Sequence, residues 1–394
     1  MIILAVNAGS SSLKFQVLKM PDETLVASGV CERIGLDDSN FTLKYDGQKK
    51  TFENPFPTHK EAVDFLLKAL VDEAILPSLD VIKGVGHRVV HGGEAFKDSV
   101  AIDQAVKVAI DDVSDLAPLH NPANLMGIEA FEKALPGVPQ VAVFDTAFHQ
   151  TMPKEAYMYA TPYEWYEKYR VRKYGFHGTS HKYVSQRTAE ILGTPLESTK
   201  TIVLHIGNGA SLCAVDGGKS IDTSMGFTPL AGISMGTRSG DIDPAIIEYI
   251  AMKENRSIQS VLADLNKRSG YLGLSDVSSD SRDLWAASDK GNEKAHLAIL
   301  KQAKMIVDYI GAYVLAMNGV DAIVFTAGIG ENAPETRALV AKRLGFLGTE
   351  IDGKKNQVRG EEAIISKDGA SVKLMVVPTN EEVMIARDTL RLIG

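Results

Sequence analysis

Cysteine is scarce in this chain. Only Cys31 and Cys213 occur among 394 residues, both in apolar or strand-like surroundings, which argues against a disulfide scaffold and a cysteine-based zinc site. Long apolar runs are missing as well. No segment approaches the roughly 20 residues of a membrane-spanning helix, and the N-terminus lacks the basic stretch of a secretory leader. A cytoplasmic protein with no membrane partner is expected. No block of basic residues is present and the net charge is −8, so nucleic acid is not an expected partner. The phosphate loop G-x-x-x-x-G-K-[ST] does not occur, and Gly328-Ile329-Gly330 lacks the third glycine of the dinucleotide fingerprint.

What is present is ordinary globular composition, 45% hydrophobic and 23% charged, on a chain too long for a single core. Two domains are expected. The first residues set the theme. Ile2 to Val6 is an apolar strand, Asn7-Ala8-Gly9-Ser10-Ser11-Ser12 a small-residue turn, and Leu13, Phe15 and Val17 alternate with Lys14 and Gln16 as in a half-buried strand. Such a hairpin reads either as a polar corner or as a phosphate cradle, in which close backbone N–H groups, hydroxyls and a lysine receive the oxygens. Further antiparallel strands are expected over 20–57 and a helix over 59–71. A strand at 81–90 runs into the glycine loop at 92–93. Helices follow at 101–116 and 122–134, then a strand at 138–144.

Past Asp145 the pattern restarts. An aromatic, turn-rich stretch covers 150–175, and a helix over 181–192 is expected with Thr179 or Ser180 as its cap. Thr201 to Ile206, the turn Gly207-Asn208-Gly209-Ala210-Ser211 and Leu212 to Val215 echo the opening hairpin, with a slip of about one residue in the turn. The echo suggests a duplicated fold with one phosphate hairpin in each half. Helices are expected at 243–252, 257–266 and 292–317. A third glycine turn, 327–332, follows the strand 322–326 and precedes a helix from Pro334. A strand at 372–377 and the helix 381–392 close the chain.

Arg88 and Arg238 both sit in loops rich in small residues, where a guanidinium can grip a carboxylate or a transferring phosphoryl group; a surface ion pair is the plain alternative. Asp145, at the end of an apolar strand, reads as a base, a metal contact through water, or a helix cap. His177 precedes a helix start and could donate to an anion there; His120, before Asn121-Pro122, is an equal candidate, and either could be structural. Glu381 opens the last helix. Spacing favours a cap that complements the helix dipole, with a Mg²⁺ contact as the sharper reading.

Taken together, Asn7 to Phe15, Gly86 to Gly93, Leu119 to Pro122, Phe144 to His149, Tyr174 to His181, Met235 to Asp241 and Phe325 to Asn332 resemble the signatures of acetate kinases across the whole chain. The resemblance implies the acetate and sugar kinase/Hsp70/actin superfamily: an α/β, duplicated ribonuclease H-like (actin-like ATPase) fold, two domains around a central cleft. It divides the chain into 1–149, joined by the helix 381–394, and 150–380, the latter binding nucleotide and forming a homodimer. It implies Mg²⁺, or Mn²⁺, with ATP/ADP and acetate/acetyl phosphate as substrates. Asn7 and Glu381 would be metal contacts. Ser10, Ser12 and Lys14 would lie on the phosphate side. Arg88 would bind the carboxylate or acyl phosphate, and Val90, Leu119, Phe176 and Pro229 the acyl methyl, with His120 nearby. Asp145, His177 and Arg238 would be catalytic. His205, Ile206, Gly207, Asn208 and Gly209, Asp280, Ser281 and Arg282, and Gly328, Ile329, Gly330, Glu331 and Asn332 would hold the nucleotide. Ser281 stands where much of the family carries Phe, which bears on how the adenine ring packs. A propionate kinase and an actin- or Hsp70-like switch ATPase are the alternatives.

Overall fold

A computed structural model describes residues 1–118 and 120–394. Among them the chain forms two compact units, Met1–Gln150 with Asn380–Gly394, and Thr151–Thr379.

The first unit is built on an eight-stranded sheet of β1 (Ile2–Gly9), β2 (Ser12–Lys19), β3 (Thr24–Glu32), β4 (Asn40–Tyr45), β5 (Gln48–Glu53), β6 (Ile82–Val89), β7 (Val100–Ala101) and β8 (Gln140–Phe144). Their order is β5-β4-β3-β2-β1-β6-β8-β7. The middle of β1 is apolar on both faces, and Ile3, Leu4, Ala5 and Val6 are all buried, as expected of a strand covered on both sides. At the rim, β5 begins Gln48-Lys49-Lys50, a charged edge that resists pairing with another sheet. Phe41 centres the core on this side, with the Phe15 ring stacked at 5.9 Å and Phe65 edge-on at 5.3 Å.

The C-terminal helix Glu381–Ile393 belongs to this sheet. It lies on β6 where that strand carries Gly84 and Gly86. A Cβ at either position would collide with Thr389, and with Ile393 or Ile385. The two glycines admit the helix that carries Glu381.

The second unit has a six-stranded sheet of β9 (Lys200–Ile206), β10 (Ala210–Asp216), β11 (Lys219–Thr223), β12 (Ala322–Thr326), β13 (Ala363–Ile364) and β14 (Lys373–Val376), in the order β11-β10-β9-β12-β14-β13. Five strands in each sheet share one plan. β3-β2-β1-β6-β8 and β11-β10-β9-β12-β14 each run third, second, first, fourth, fifth. The first three are antiparallel and the last two join in parallel. This is the expected duplication, and the slip in the turns has a cause: Gly9 pairs with Ser12, leaving two residues in the first turn, whereas Ile206 pairs with Ala210, leaving three.

Several local expectations are corrected. The helix expected over 101–116 begins only at Gln104, because the Asp103 carboxylate caps it through the Val106 N–H at 2.8 Å while residues 100–101 pair with β8. The helix expected from His181 starts at Gly178, so neither Thr179 nor Ser180 caps it; His177 does, with a left-handed φ of 56°. Residues 327–332 are a short helix rather than a glycine turn. Its first N–H, at Ala327, is satisfied by the Glu331 carboxylate at 2.8 Å, which closes the turn on itself.

Candidate active site

In the first unit, the antiparallel register places Asn7 opposite Lys14 on adjacent strands, so both project from one face of the sheet. Ser10 is exposed in the two-residue turn and Ser12 is half-buried beside it. His59 Nε2 donates to the Gly9 carbonyl at 2.7 Å and fixes the turn from below.

Arg88 lies near the C-terminal end of β6, and Asp145 follows directly on β8. The pairing of Val89 with Phe144 sets the two side chains next to each other. Arg88 Nε donates to Asp145 Oδ1 at 2.9 Å and Nη2 to Oδ2 at 2.6 Å, a two-pronged fit of fork to carboxylate. Asp145 is 1% exposed while Arg88 retains 22%, so the guanidinium is the reachable member. Glu381 Oε2 lies 3.9 Å from Arg88 Nε. Burial pushes the Glu381 carboxyl up to about 7; Arg88 opposes this, and the neighbouring Asp145 and Glu382 add to it. Burial disfavours the charge on Arg88, yet Asp145 and Glu381 more than offset that and raise its pKa. Both Asp145 oxygens are occupied by Arg88, so in this arrangement Asp145 orients the guanidinium. Val90 is buried just beyond β6. His120 is exposed at the start of the helix Asn121–Ala134, and Leu119 lies outside the described residues.

In the second unit, the turn between β9 and β10 carries Gly207, Asn208 and Gly209. His177 Nδ1 is hydrogen-bonded to Ser211 Oγ at 2.8 Å, and its ring stacks on His205 at 4.1 Å. A Cβ on Gly209 would sit 3.6 Å from Arg238 Nη1 and 3.7 Å from His177 Nε2. His177 and Arg238, 61 positions apart in sequence, thus converge on one bare backbone site. Gly236 permits this convergence. Its N–H donates to the Asn208 carbonyl at 3.0 Å, and any side chain there would strike Asn208. Arg238 Nη1 reaches the Pro229 carbonyl at 3.3 Å and the Met235 sulfur at 3.7 Å. Among the described residues it forms no ion pair, and burial alone lowers its pKa. Phe176 is buried.

A cavity of about 530 Å³ opens beside this group, lined by Gly207, Asn208, Ser279, Asp280, Ser281, Arg282, Gly328, Ile329, Asn332, Ala333 and Arg359. Eight residues expected to hold nucleotide are among them. Five are not: Ile206 is wholly buried, His205 stacks under His177, Gly209 faces Arg238, the Gly330 carbonyl is held by Arg337, and Glu331 binds the N–H groups of Ala327 and Thr379. Ser279, Ala333 and Arg359 were not foreseen. Ser279 and Ala333 adjoin recognised segments, but Arg359 sits in an irregular stretch with no pattern to mark it.

Among the described residues no three His, Cys, Asp or Glu side chains form a metal cage. One carboxylate, Glu381, and one amide, Asn7, suit a hard cation that keeps waters and phosphate oxygens as most of its ligands. Among the described residues no helix is long and apolar enough to cross a membrane.

The profile of the acetokinase family matches residues 2–387. The acetate kinase of Shouchella clausii (strain KSM-K16) is 59% identical over 390 residues, covering 99% of each chain. The crystal structure of Porphyromonas gingivalis acetate kinase superposes with a TM-score of 0.96 at 47% identity, covering both chains fully. A propionate kinase structure from Francisella tularensis gives 0.93 at 42% identity over 99% of each.

Proposed function

The chain belongs to the acetokinase family, and on that premise we propose that it is an acetate kinase. It transfers the γ-phosphoryl group of ATP directly and in line to an acetate oxygen, giving acetyl phosphate and ADP, and runs in reverse. The observation that carries this reading is Arg238: a partly desolvated guanidinium without a carboxylate partner among the described residues, beside the bare backbone of Gly209 and next to a nucleotide-sized cavity. Such a cation calls for an anion.

Acetate is ionised at pH 7 and needs no base to become a nucleophile. The enzyme must align two anions and neutralise the oxygens of the moving group. Arg88, aimed by Asp145, holds the carboxylate, and Val90, just beyond β6, receives the methyl group. Arg238 and His177 bind the equatorial phosphoryl oxygens. His177 Nδ1 is hydrogen-bonded to Ser211 Oγ, which also meets His181 Nε2, and Nε2 is the His177 nitrogen that faces Gly209. The β9–β10 turn and the cavity walls hold the nucleotide, while Ser10, Ser12 and Lys14 lie on the phosphate side. Asn7 and Glu381 would hold Mg²⁺ or Mn²⁺, which would supply charge neutralisation for the phosphates.

The Francisella structure makes propionate the competing substrate; one methylene is worth roughly 1–3 kcal/mol of discrimination. Acyl phosphate formation from ATP with acetate, propionate and butyrate in parallel tests the proposal. Acetate is expected to give the highest kcat/KM; ATP hydrolysis indifferent to every short carboxylate would instead mark a switch ATPase. A cytoplasmic homodimer is part of the same reading. It is supported by the exposed Ile246, Tyr249 and Met252 on one helix of the second unit, and a monomeric mass in light scattering would refute it.

A further inference from the structure

The helix Asn121–Ala134 turns three residues toward the ends of β1 and β6, at positions 121, 124 and 127, one face of a helix. Asn121 Oδ1 accepts from the His91 N–H at 3.1 Å, and its Nδ2 donates to the His91 and Ile110 carbonyls at 2.9 and 3.2 Å. Asn124 Oδ1 accepts from the Val90 N–H at 3.1 Å, and its Nδ2 donates to the Ala8 carbonyl at 2.7 Å. Gly127 brings the helix so close that a Cβ there would lie 2.6 Å from that of Ala8. Both asparagines are buried, and each amide is engaged at both ends.

These are unusual places for side-chain amides. Val90 and His91 have left the sheet, so their N–H groups have no strand partner, and burial would leave them unsatisfied. A buried asparagine replaces the missing strand and fixes where the backbone goes. Val90 is the residue whose side chain faces the acyl group on the short-acyl kinase reading, on which this inference rests. Ala8 adjoins Asn7.

We infer that Asn124 is a positioning residue for acyl-chain selectivity, holding the Val90 backbone at the distance that admits acetate and rejects longer acids. Its two hydrogen bonds have separable duties. The oxygen sets Val90 and hence the pocket; the nitrogen ties the same helix to the phosphate hairpin.

The readout is the ratio of kcat/KM for acetate to that for propionate, a property of each active molecule that partial unfolding does not move. In Asn124→Ala, which supplies no acceptor, the ratio is expected to fall about five- to tenfold, a fraction of what one methylene can contribute, with KM for ATP within about twofold. Asn124→Asp keeps an oxygen for the Val90 N–H in either protonation state, and its ratio is expected to stay within about twofold of wild type even where kcat drops. Should the alanine variant not fold, Asn124→Val keeps the volume without the acceptor and is read the same way. A wild-type ratio in the alanine or valine variant, or an equal shift in the aspartate variant, overturns the inference. Absence of acyl phosphate formation by the wild type would instead overturn the reading beneath it.

Discussion

The guanidinium of Arg88 donates two hydrogen bonds to Asp145, whereas that of Arg238 meets a carbonyl and a thioether. The two arginines therefore have different thermodynamic positions. Arg88 is compensated before any ligand arrives, and its value lies in direction. Arg238 is an uncompensated charge in partial burial, a costly state that an anion relieves. Arg238→Ala is accordingly expected to lower kcat by about 10³–10⁵-fold, the range of arginine fingers in phosphoryl transfer, and Arg238→Lys to recover little of it, since an ammonium cannot reproduce the fork. Asp145→Asn separates two roles. If Asp145 orients Arg88, the amide variant shows a higher KM for acetate, with the shape of the pH–rate profile kept. Loss of one limb of that profile would make Asp145 a proton carrier instead. Both arginines were legible in the sequence because glycine flanks mark them. Their difference was not, since it depends on which carboxylate the fold brings alongside. Asn124 was invisible for a related reason: it lies on a helix like any other asparagine, and only the end of a strand above it gives it work.

At the scale of elements, glycines decide which surfaces meet. Gly84 and Gly86 on β6 open the sheet to the C-terminal helix, and just past them β6 carries His87 inward and Arg88 toward the site. His87 is buried, donates from Nε2 to Gln140 Oε1 at 2.6 Å and packs edge-on against Phe131. Burial lowers its pKa to about 4, against which the bond to Gln140 pulls upward. The unfolded chain takes up this proton near pH 6.5 and the folded chain only near 4. Stability from the neutral ring is thus complete above 6.5 and is lost as pH falls from 6.5 toward 4. His91, also lowered to about 4 by burial, acts in the same window and direction. Between pH 7.5 and 5, His87 alone is expected to remove on the order of 2 kcal/mol. Denaturant unfolding of wild type and His87→Asn at both pH values checks this. The pH-dependent loss should shrink by about that amount in the variant, and an unchanged loss would show that His87 does not titrate on unfolding. Strands of this kind were readable from their apolar runs. The starts of the helices at Gln104 and Gly178 were not, because they depend on the Asp103 carboxylate and on the left-handed backbone at His177, features that periodicity does not carry.

For the whole molecule, the same five-strand plan occurs twice, but the two copies close differently. The second unit is one continuous segment, Thr151–Thr379, whereas the first is completed by residues 380–394 after the chain has traversed the second. The first unit cannot cover the Gly84–Gly86 face of its sheet until the last helix exists; the second has every strand of its sheet, and every residue lining the 530 Å³ cavity, within its own segment. Folding and ligand binding should divide accordingly. A fragment of residues 151–379 is expected to unfold cooperatively and to bind ADP or ATP, because its core and its nucleotide walls are self-contained. It should not bind acetate, because Arg88 and Val90 are absent from it. Both tryptophans, Trp165 and Trp285, fall within the fragment, and Trp285 packs in the same cluster as Ile329 of the cavity wall, so tryptophan fluorescence reports the binding directly. Chain 1–379, lacking the last helix, should retain a nucleotide-dependent fluorescence change while losing acyl phosphate formation, since it loses Glu381 and exposes the apolar face that Ile385 and Thr389 cover on β6. A fragment 151–379 that folds but leaves its fluorescence unmoved by millimolar ADP would mean that this segment does not bind nucleotide on its own, and the division of labour drawn from chain connectivity would be wrong.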